Sequence, residues 1–232
     1  MQFPAESTPR YGVLRSRAAL EHCIENARRG KTPDKQWCLL QNISWRYDVK
    51  KALVIIDVQN DYFPGGKMEL DGSDKAGAKA GLLLETFRKL QLPVIHIQHV
   101  ATQPGATFFL PDTEGVKIHN SVQPKNGEAV IVKHFPNSFR ETALKKHLDA
   151  SGITQLILAG MMSHMCVDTT VRAAFDLGYT CALAHDACAT RALTFADTTV
   201  AAEQVHLSFM AALNGVFASV RSTEDIRKEL LA

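Results

Sequence analysis

From Ala52 onward the chain switches repeatedly between two periodicities. Short unbroken apolar runs appear at ALVIID (from Ala52), PVIHIQ (from Pro93), AVIVK (from Ala129), TQLILA (from Thr154), YTCALAH (from Tyr179) and VFASV (from Val216). Continuous runs of this length, rich in β-branched residues, are the pattern of strands covered on both faces. Pro93 fits the first position of such a strand. Between the runs lie stretches with apolar residues at helical spacing. They are LLLETFRKL within Lys75 to Leu90, RETALKKHLDASG, CVDTTVRAAFDLG, VAAEQVHLSFMAALNG and STEDIRKELL. Gly178 is placed to end the third of these helices. Six strands alternating with helices predict an α/β fold, a doubly wound, mostly parallel six-stranded sheet with helices on both faces.

Residues 1–50 break this rhythm. Pro-containing polar stretches flank one short helical segment, RSRAALEHCIENARRG, and WCLLQNISWRY offers Trp37 and Trp45 as apolar anchors. The reading is an N-terminal extension over 1–50 that packs on the core or on a neighbouring subunit, and a main domain over 51–232.

Composition narrows the function. Apolar content of 46% with 22% charged residues is that of an ordinary globular chain. The 26 basic and 24 acidic side chains are interspersed, with a net charge of +2, so no nucleic-acid or anionic-membrane footprint exists. No apolar run reaches the roughly 20 residues that cross a bilayer. The five cysteines, Cys23, Cys38, Cys166, Cys181 and Cys188, are odd in number and lack C-x-x-C pairing. Neither a disulfide framework nor a zinc ribbon is indicated, and a reducing, cytoplasmic setting is the expectation. The first residues contain no apolar h-region of a secretory signal. Glu6, Glu21 and Glu25 argue against an organellar transit peptide.

Ligands of doubly wound sheets bind beyond the carboxyl ends of the strands. Three chemically capable residues fall there: Asp57 closes the first run, Lys133 closes AVIVK, and Cys166 opens the helix after TQLILA. Taken singly, each has a structural reading as a turn residue, a solvated strand tip and a small packing residue. Gathered at one rim, they form a nucleophile, a proton acceptor and a charge stabiliser. A helix start at Cys166 would also favour a thiolate.

The segments IIDVQNDYF, VKHFPNSF and GMMSHMCVDTTVRAAFDLGY resemble the three signature stretches of the isochorismatase-like cysteine hydrolases, a group that includes nicotinamidases, N-carbamoylsarcosine amidases and ureidoacrylate amidohydrolases. The resemblance covers about Lys51 to Val220. It implies a catalytic triad of Asp57, Lys133 and Cys166, and a cis peptide between Met161 and Met162. That peptide would aim the Met162 N–H, with the Cys166 N–H, at a developing oxyanion. The chemistry implied is cysteine-dependent hydrolysis of a C–N bond in a small molecule, through a thioester and with no cofactor. Association into a homo-oligomer is expected.

Alternatives stay open. The vinyl-ether-cleaving isochorismatases typically lack a nucleophile at the position of Cys166, so the thiol favours C–N cleavage. Nicotinamidases carry a metal site with an Asp-x-His motif, which this chain lacks. His96 and His99 would face opposite sides of their strand, with His119 further on. No metal is therefore assigned, and whether His96 or His99 belongs to a metal site is left open. A redox-active thiol and a catalytically silent scaffold are further readings. Asn60, Phe63, Phe135 and His164 are the expected pocket residues. Arg172 and Asp186 are expected to form a structural ion pair, and Cys181 and Cys188 to be inert, the latter in a loop. The long polar excursion from Val100 to Gly127 is read as a substrate-defining lid or subunit contact. The glycines of GGKMEL fit no phosphate-binding motif.

Overall fold

The computed structural model describes residues 49–232, so the helix and the tryptophan anchors read within 1–50 lie outside the described residues. The strands are β1 (Lys51–Ile56), β2 (Val94–His99), β3 (Ala129–Lys133), β4 (Gln155–Met161), β5 (Thr180–Ala189), β6 (Leu193–Phe195), β7 (Thr198–Val200) and β8 (Ser219–Arg221). The helices are α1 (Ser73–Lys89), α2 (Leu144–Ala150), α3 (Asp168–Asp176), α4 (Ala202–Leu213) and α5 (Thr223–Leu231). Six strands form one parallel sheet in the order β3-β2-β1-β4-β5-β8. The chain builds outward from β1 through β2 to β3, then returns to place β4 on the other side of β1. That reversal puts the switch point of the fold between β1 and β4.

Alternation along β1 shows why both faces are covered. Leu53 and Ile55 join one apolar cluster with Leu83, Leu84 and Phe87 of α1 and Ile226 of α5. Ala52, Val54 and Ile56 join the opposite cluster, with Leu144 and Leu148 of α2, Val171 and Ala174 of α3, and Leu213 of α4. Leu83, Leu84 and Phe87 are almost completely buried, and each such side chain contributes about 2 kcal/mol by leaving water. The helices carry these residues at i, i+1 and i+4 spacing, as a core-facing stripe requires.

Departures from the sequence reading have local causes. The helix expected from Arg140 begins only at Leu144. Glu141 adopts a left-handed φ of 56°, and Thr142 accepts the Leu144 amide while donating to the Ser138 carbonyl. Strand β5 runs on to Ala189 because it carries the extra residues of an irregularity between Leu183, which pairs with Leu158, and Cys188, where pairing resumes with Gly160, followed by Ala189 with Met161. Cys188 is thus a strand residue, not a loop residue. The β6–β7 hairpin was not expected, since its residues are mostly exposed and carry no apolar alternation. Arg172 does not meet Asp186. It pairs with Asp168 one helical turn away and lies over the Phe217 ring, while Asp186 faces Lys79 and accepts the Thr223 amide.

Candidate active site

Three strand ends build the site. β1 stops at Ile56, and Asp57 turns into a left-handed φ of 51° while its N–H still donates to the Ile97 carbonyl. Asp tolerates that conformation better than most residues do. Beside it, Ile56 pairs with Gly160 of β4. A Cβ at Gly160 would lie 2.0 Å from the Ile56 carbonyl oxygen, and its φ of 136° suits only glycine. The chain then passes through a cis peptide between Met161 and Met162 and enters a π-helical turn, Ser163–Val167. Cys166 sits in that turn, just ahead of α3, and so is not itself the helix start. The Met162 carbonyl accepts the amides of Met165 and Val167, which folds the turn back over the end of β4. From the other side, β3 ends in register with β2, Lys133 beside His99.

These ends converge. Lys133 Nζ lies 2.7 Å from Asp57 Oδ2, with both side chains fully buried. Nζ also reaches the Phe135 and Pro136 carbonyls at 3.2 and 3.1 Å and His99 Nδ1 at 3.4 Å. Among the described residues no N–H or O–H reaches Asp57 Oδ1, which leaves that oxygen free to accept a proton. One oxygen of Asp57, one ring nitrogen of His99 and the Cys166 sulfur all lie within 4.8 Å of one another. The same three atoms are the kind that hold a metal ion. Here the Lys133 ammonium already faces Asp57 and His99 Nδ1, and a second cation would have to displace it.

Charge and burial set the protonation states. Burial pushes the Cys166 thiol up to about 12 and the Asp57 carboxylate adds to this, against the opposing pull of Lys133. The resting sulfur is therefore a thiol, and the positive end of α3 does not make it a standing thiolate. For Lys133, burial disfavours the charge, but Asp57 and then Cys166 outweigh it, so the amine is held above its ordinary value. His99 is lowered to about 4, chiefly by burial. It is neutral at physiological pH, so its Nδ1 can accept from the ammonium.

The long excursion from Val100 is hung on the same β1 loop. Gln59, fully buried, exchanges hydrogen bonds with the backbone of His99 through both amide atoms and also donates to the Val116 carbonyl. Asp61 accepts the Phe109 amide at 2.6 Å and the Lys67 amide at 3.1 Å, and Gly115 packs so closely on this carboxylate that no Cβ would fit. Tyr62 packs at tilted angles against Phe108 and Phe109, and its hydroxyl is held well above its ordinary value by burial and by nearby Cys166 and Asp57.

Asp57, Lys133 and Cys166 thus meet at one rim, as their places beside the strand ends predicted; the four residues expected to line a pocket make contacts of their own. Asn60 donates to the Glu114 carbonyl and ties down the excursion. Phe63 is buried against His119, ring to ring at 3.5 Å, in the core. Phe135 offers Lys133 its carbonyl, while its ring lies under the Arg140 guanidinium. His164 stands in the Cys166 turn, with Nδ1 2.5 Å from Thr190 Oγ1. His96 and His99 do face apart: His96 pairs with Glu128, and His99 enters the site. Sequence reasoning passed over Gln59 and Tyr62, and weighed His99 only as a metal ligand. The one available signal for Tyr62 was its place beside Phe63, one residue out of phase with the choice made.

Comparison with known proteins agrees with this architecture. The sequence profile of the Isochorismatase domain matches residues 51–225. An uncharacterized isochorismatase family protein of Bacillus subtilis, YddQ, is 53% identical over 177 residues, 76% of this chain and 98% of that protein. A crystal structure of a putative isochorismatase hydrolase from Oleispira antarctica superposes with a TM-score of 0.76 at 48% identity, covering 80% of this chain and all of that one. A streptothricin hydrolase of Streptomyces noursei is 36% identical over 140 residues, 60% of this chain and half of its own length. With the family profile spanning the whole sheet and a solved structure of near-half identity superposing on the fold, the chain belongs to the isochorismatase family of hydrolases.

Proposed function

We propose that this hydrolase cleaves a C–N bond, in an amide, carbamoyl or ureido group of a small molecule, with Cys166 as nucleophile. The observation that carries the reading is the buried meeting of thiol, carboxylate and ammonium, with one carboxylate oxygen left without a donor. Asp57 takes the thiol proton as the sulfur attacks the carbonyl carbon, forming the C–S bond. The N–H groups of Met162 and Cys166 hold the oxyanion. Collapse breaks the C–N bond, and Asp57 returns the proton to the leaving nitrogen, which departs as ammonia or amine. Water, deprotonated by Asp57, then attacks the thioester and regenerates the thiol. Lys133 remains cationic throughout and keeps the carboxylate in place. His99, neutral, orients the ammonium.

A thiol held near 12 and almost wholly buried is poorly suited to peroxide sensing, which needs an exposed thiolate. The amidase-type reading is also supported by similarity to a streptothricin hydrolase. The test is an ammonia-release screen over amides, ureides and carbamoyl compounds, beside Cys166→Ala. Turnover is expected in the native protein and at least about a thousandfold less in the variant, with its melting temperature retained. Turnover unaffected by the substitution would remove Cys166 from the mechanism.

A further inference from the structure

Ser163 opens the turn that carries Cys166, directly after Met162. Its side chain is fully buried, and its hydroxyl has two neighbours, the Ala189 carbonyl at 3.2 Å and Nδ1 of His206 at 2.8 Å. A hydroxyl has one proton to give, and a carbonyl can only accept. The Ser163 proton therefore goes to Ala189, and Nδ1 of His206 is the donor to Oγ. Burial, and then nearby His185, lowers His206 from its ordinary value. The ring is neutral at physiological pH, and its one N–H is the one spent on Ser163. Seating the helix does not need this ring, because α4 is packed through Ala202, Val205, Met210 and Leu213.

The turn is held at three points. Met161 pairs with Ala189, the Met162 carbonyl accepts the Met165 and Val167 amides, and Ser163 is gripped by its side chain. Only the third grip reaches out of the sheet and the turn to another helix. The Met162 N–H, one of the two oxyanion donors, lies among these grips. Such a donor acts only if it is aimed where the negative charge develops. We propose that His206 is a positioning residue for acyl transfer at Cys166, fixing the Met162 and Cys166 N–H groups through the Ser163 hydroxyl. This inference rests on the reading of Cys166 as an acyl-accepting nucleophile.

The test compares two reagents at Cys166 on the full chain. Para-nitrophenyl acetate acylates the sulfur: the C–S bond forms, the C–O bond to nitrophenolate breaks, and the thiol proton passes to Asp57. That step runs through a tetrahedral oxyanion. Iodoacetamide alkylates the same sulfur as its C–I bond breaks and iodide leaves, with no oxyanion formed. Nitrophenolate release in the first turnover, less that of Cys166→Ala, gives the first rate. Mass spectrometry of the Cys166 peptide gives the second. The ratio of acylation to alkylation cancels changes in thiol reactivity and reports the oxyanion donors. His206→Leu should lower it about tenfold or more. Ser163→Ala, which cuts the same bond with α4 untouched, should do likewise, and the double variant should be no worse than either alone. His206→Asn, whose side-chain N–H falls close to the place of Nδ1–H, should stay within about threefold of the native ratio. A ratio unchanged within about twofold in both His206→Leu and Ser163→Ala, at wild-type melting temperature, overturns the proposal. An equal loss in His206→Leu and His206→Asn also overturns it, since the ring would then serve only as packing. The two readings fail differently. Amide turnover that needs Cys166, with a ratio blind to His206, sinks the positioning role alone. A ratio that depends on His206 without turnover of any amide sinks C–N hydrolysis alone, and no acylation of native Cys166 by the ester sinks both.

Discussion

Replacing Lys133 by Met tests the arrangement at its most buried point. The substitution keeps the length and apolar stem of the side chain but removes a charge that lies 2.7 Å from Asp57 with neither group exposed. It also strips the donor from the Phe135 and Pro136 carbonyls and from His99 Nδ1. What remains is a buried carboxylate with no cation and three acceptors without their donor. Breaking one half of a buried pair costs about 3–5 kcal/mol, a large part of the roughly 5–15 kcal/mol that holds a domain together. The lysine is held above its ordinary value, so its contribution is complete at neutral pH and fades only as pH rises through that raised value. In the variant the orphan carboxylate is tolerable only when protonated, so the deficit should shrink as pH falls. The assay is equilibrium urea unfolding by circular dichroism at several pH values, run for Lys133→Met, Asp57→Asn and the double variant. The double variant should lose less than the sum of the singles by about 2 kcal/mol. A single-variant loss below about 1 kcal/mol at pH 7, or strict additivity, would refute the claim that the two charges depend on each other.

Two further outcomes are expected. Burial opposes the charge of Glu128, but bonds from Arg88, the Lys125 amide and His96 hold it down to about 2. Its stabilisation is thus present above the ordinary carboxylate range and lost as pH falls towards 2. Glu128→Gln should cost about 3 kcal/mol at pH 7, and urea titration should show the gap closing in acid; a gap that stays constant with pH would contradict the assignment. Gly160→Ala drives a methyl into the Ile56 carbonyl, and should cost about 3 kcal/mol or more or prevent soluble folding, whereas a melting temperature within about 2 °C of wild type would mean the β1–β4 approach is looser than described.

The sheet was legible because its central strands β1 and β4 are buried on both faces and read as unbroken apolar runs. ALVIID ends in Asp57 and TQLILA leads into the turn of Cys166, so both residues inherit their positions from the fold. Lys133 closes an apolar run of the same kind, although β3 is an edge strand with Val130 and Val132 exposed. The walls of the site were not legible. Phe63 and Tyr62 are neighbours in sequence and both join one apolar cluster, and the short 3-10 turn over Asn60–Tyr62 decides which ring meets His119 and which meets Phe108 and Phe109. His99 was weighed as a metal ligand because histidine spacing was the visible signal. Its role beside Lys133 depends on the β2–β3 register, which no local pattern encodes. The presumed Arg172–Asp186 pair failed because a partner four residues away in the same helix was closer to hand.

Five consecutive residues, Asp57 to Asp61, do two jobs. The first supplies the carboxylate at the heart of the pocket, and Gln59 and Asp61 act as pegs from which the excursion beginning at Val100 hangs. The pegs grip at Phe109, Gly115 and Val116, and the span between them, Leu110 to Glu114, is largely exposed. Evolution can therefore lengthen, shorten or recolour that span as a tailor alters a cuff, with the reacting groups left untouched. The carboxylate of Asp57 and the exposed span are thus separate parts, joined at a pair of side chains.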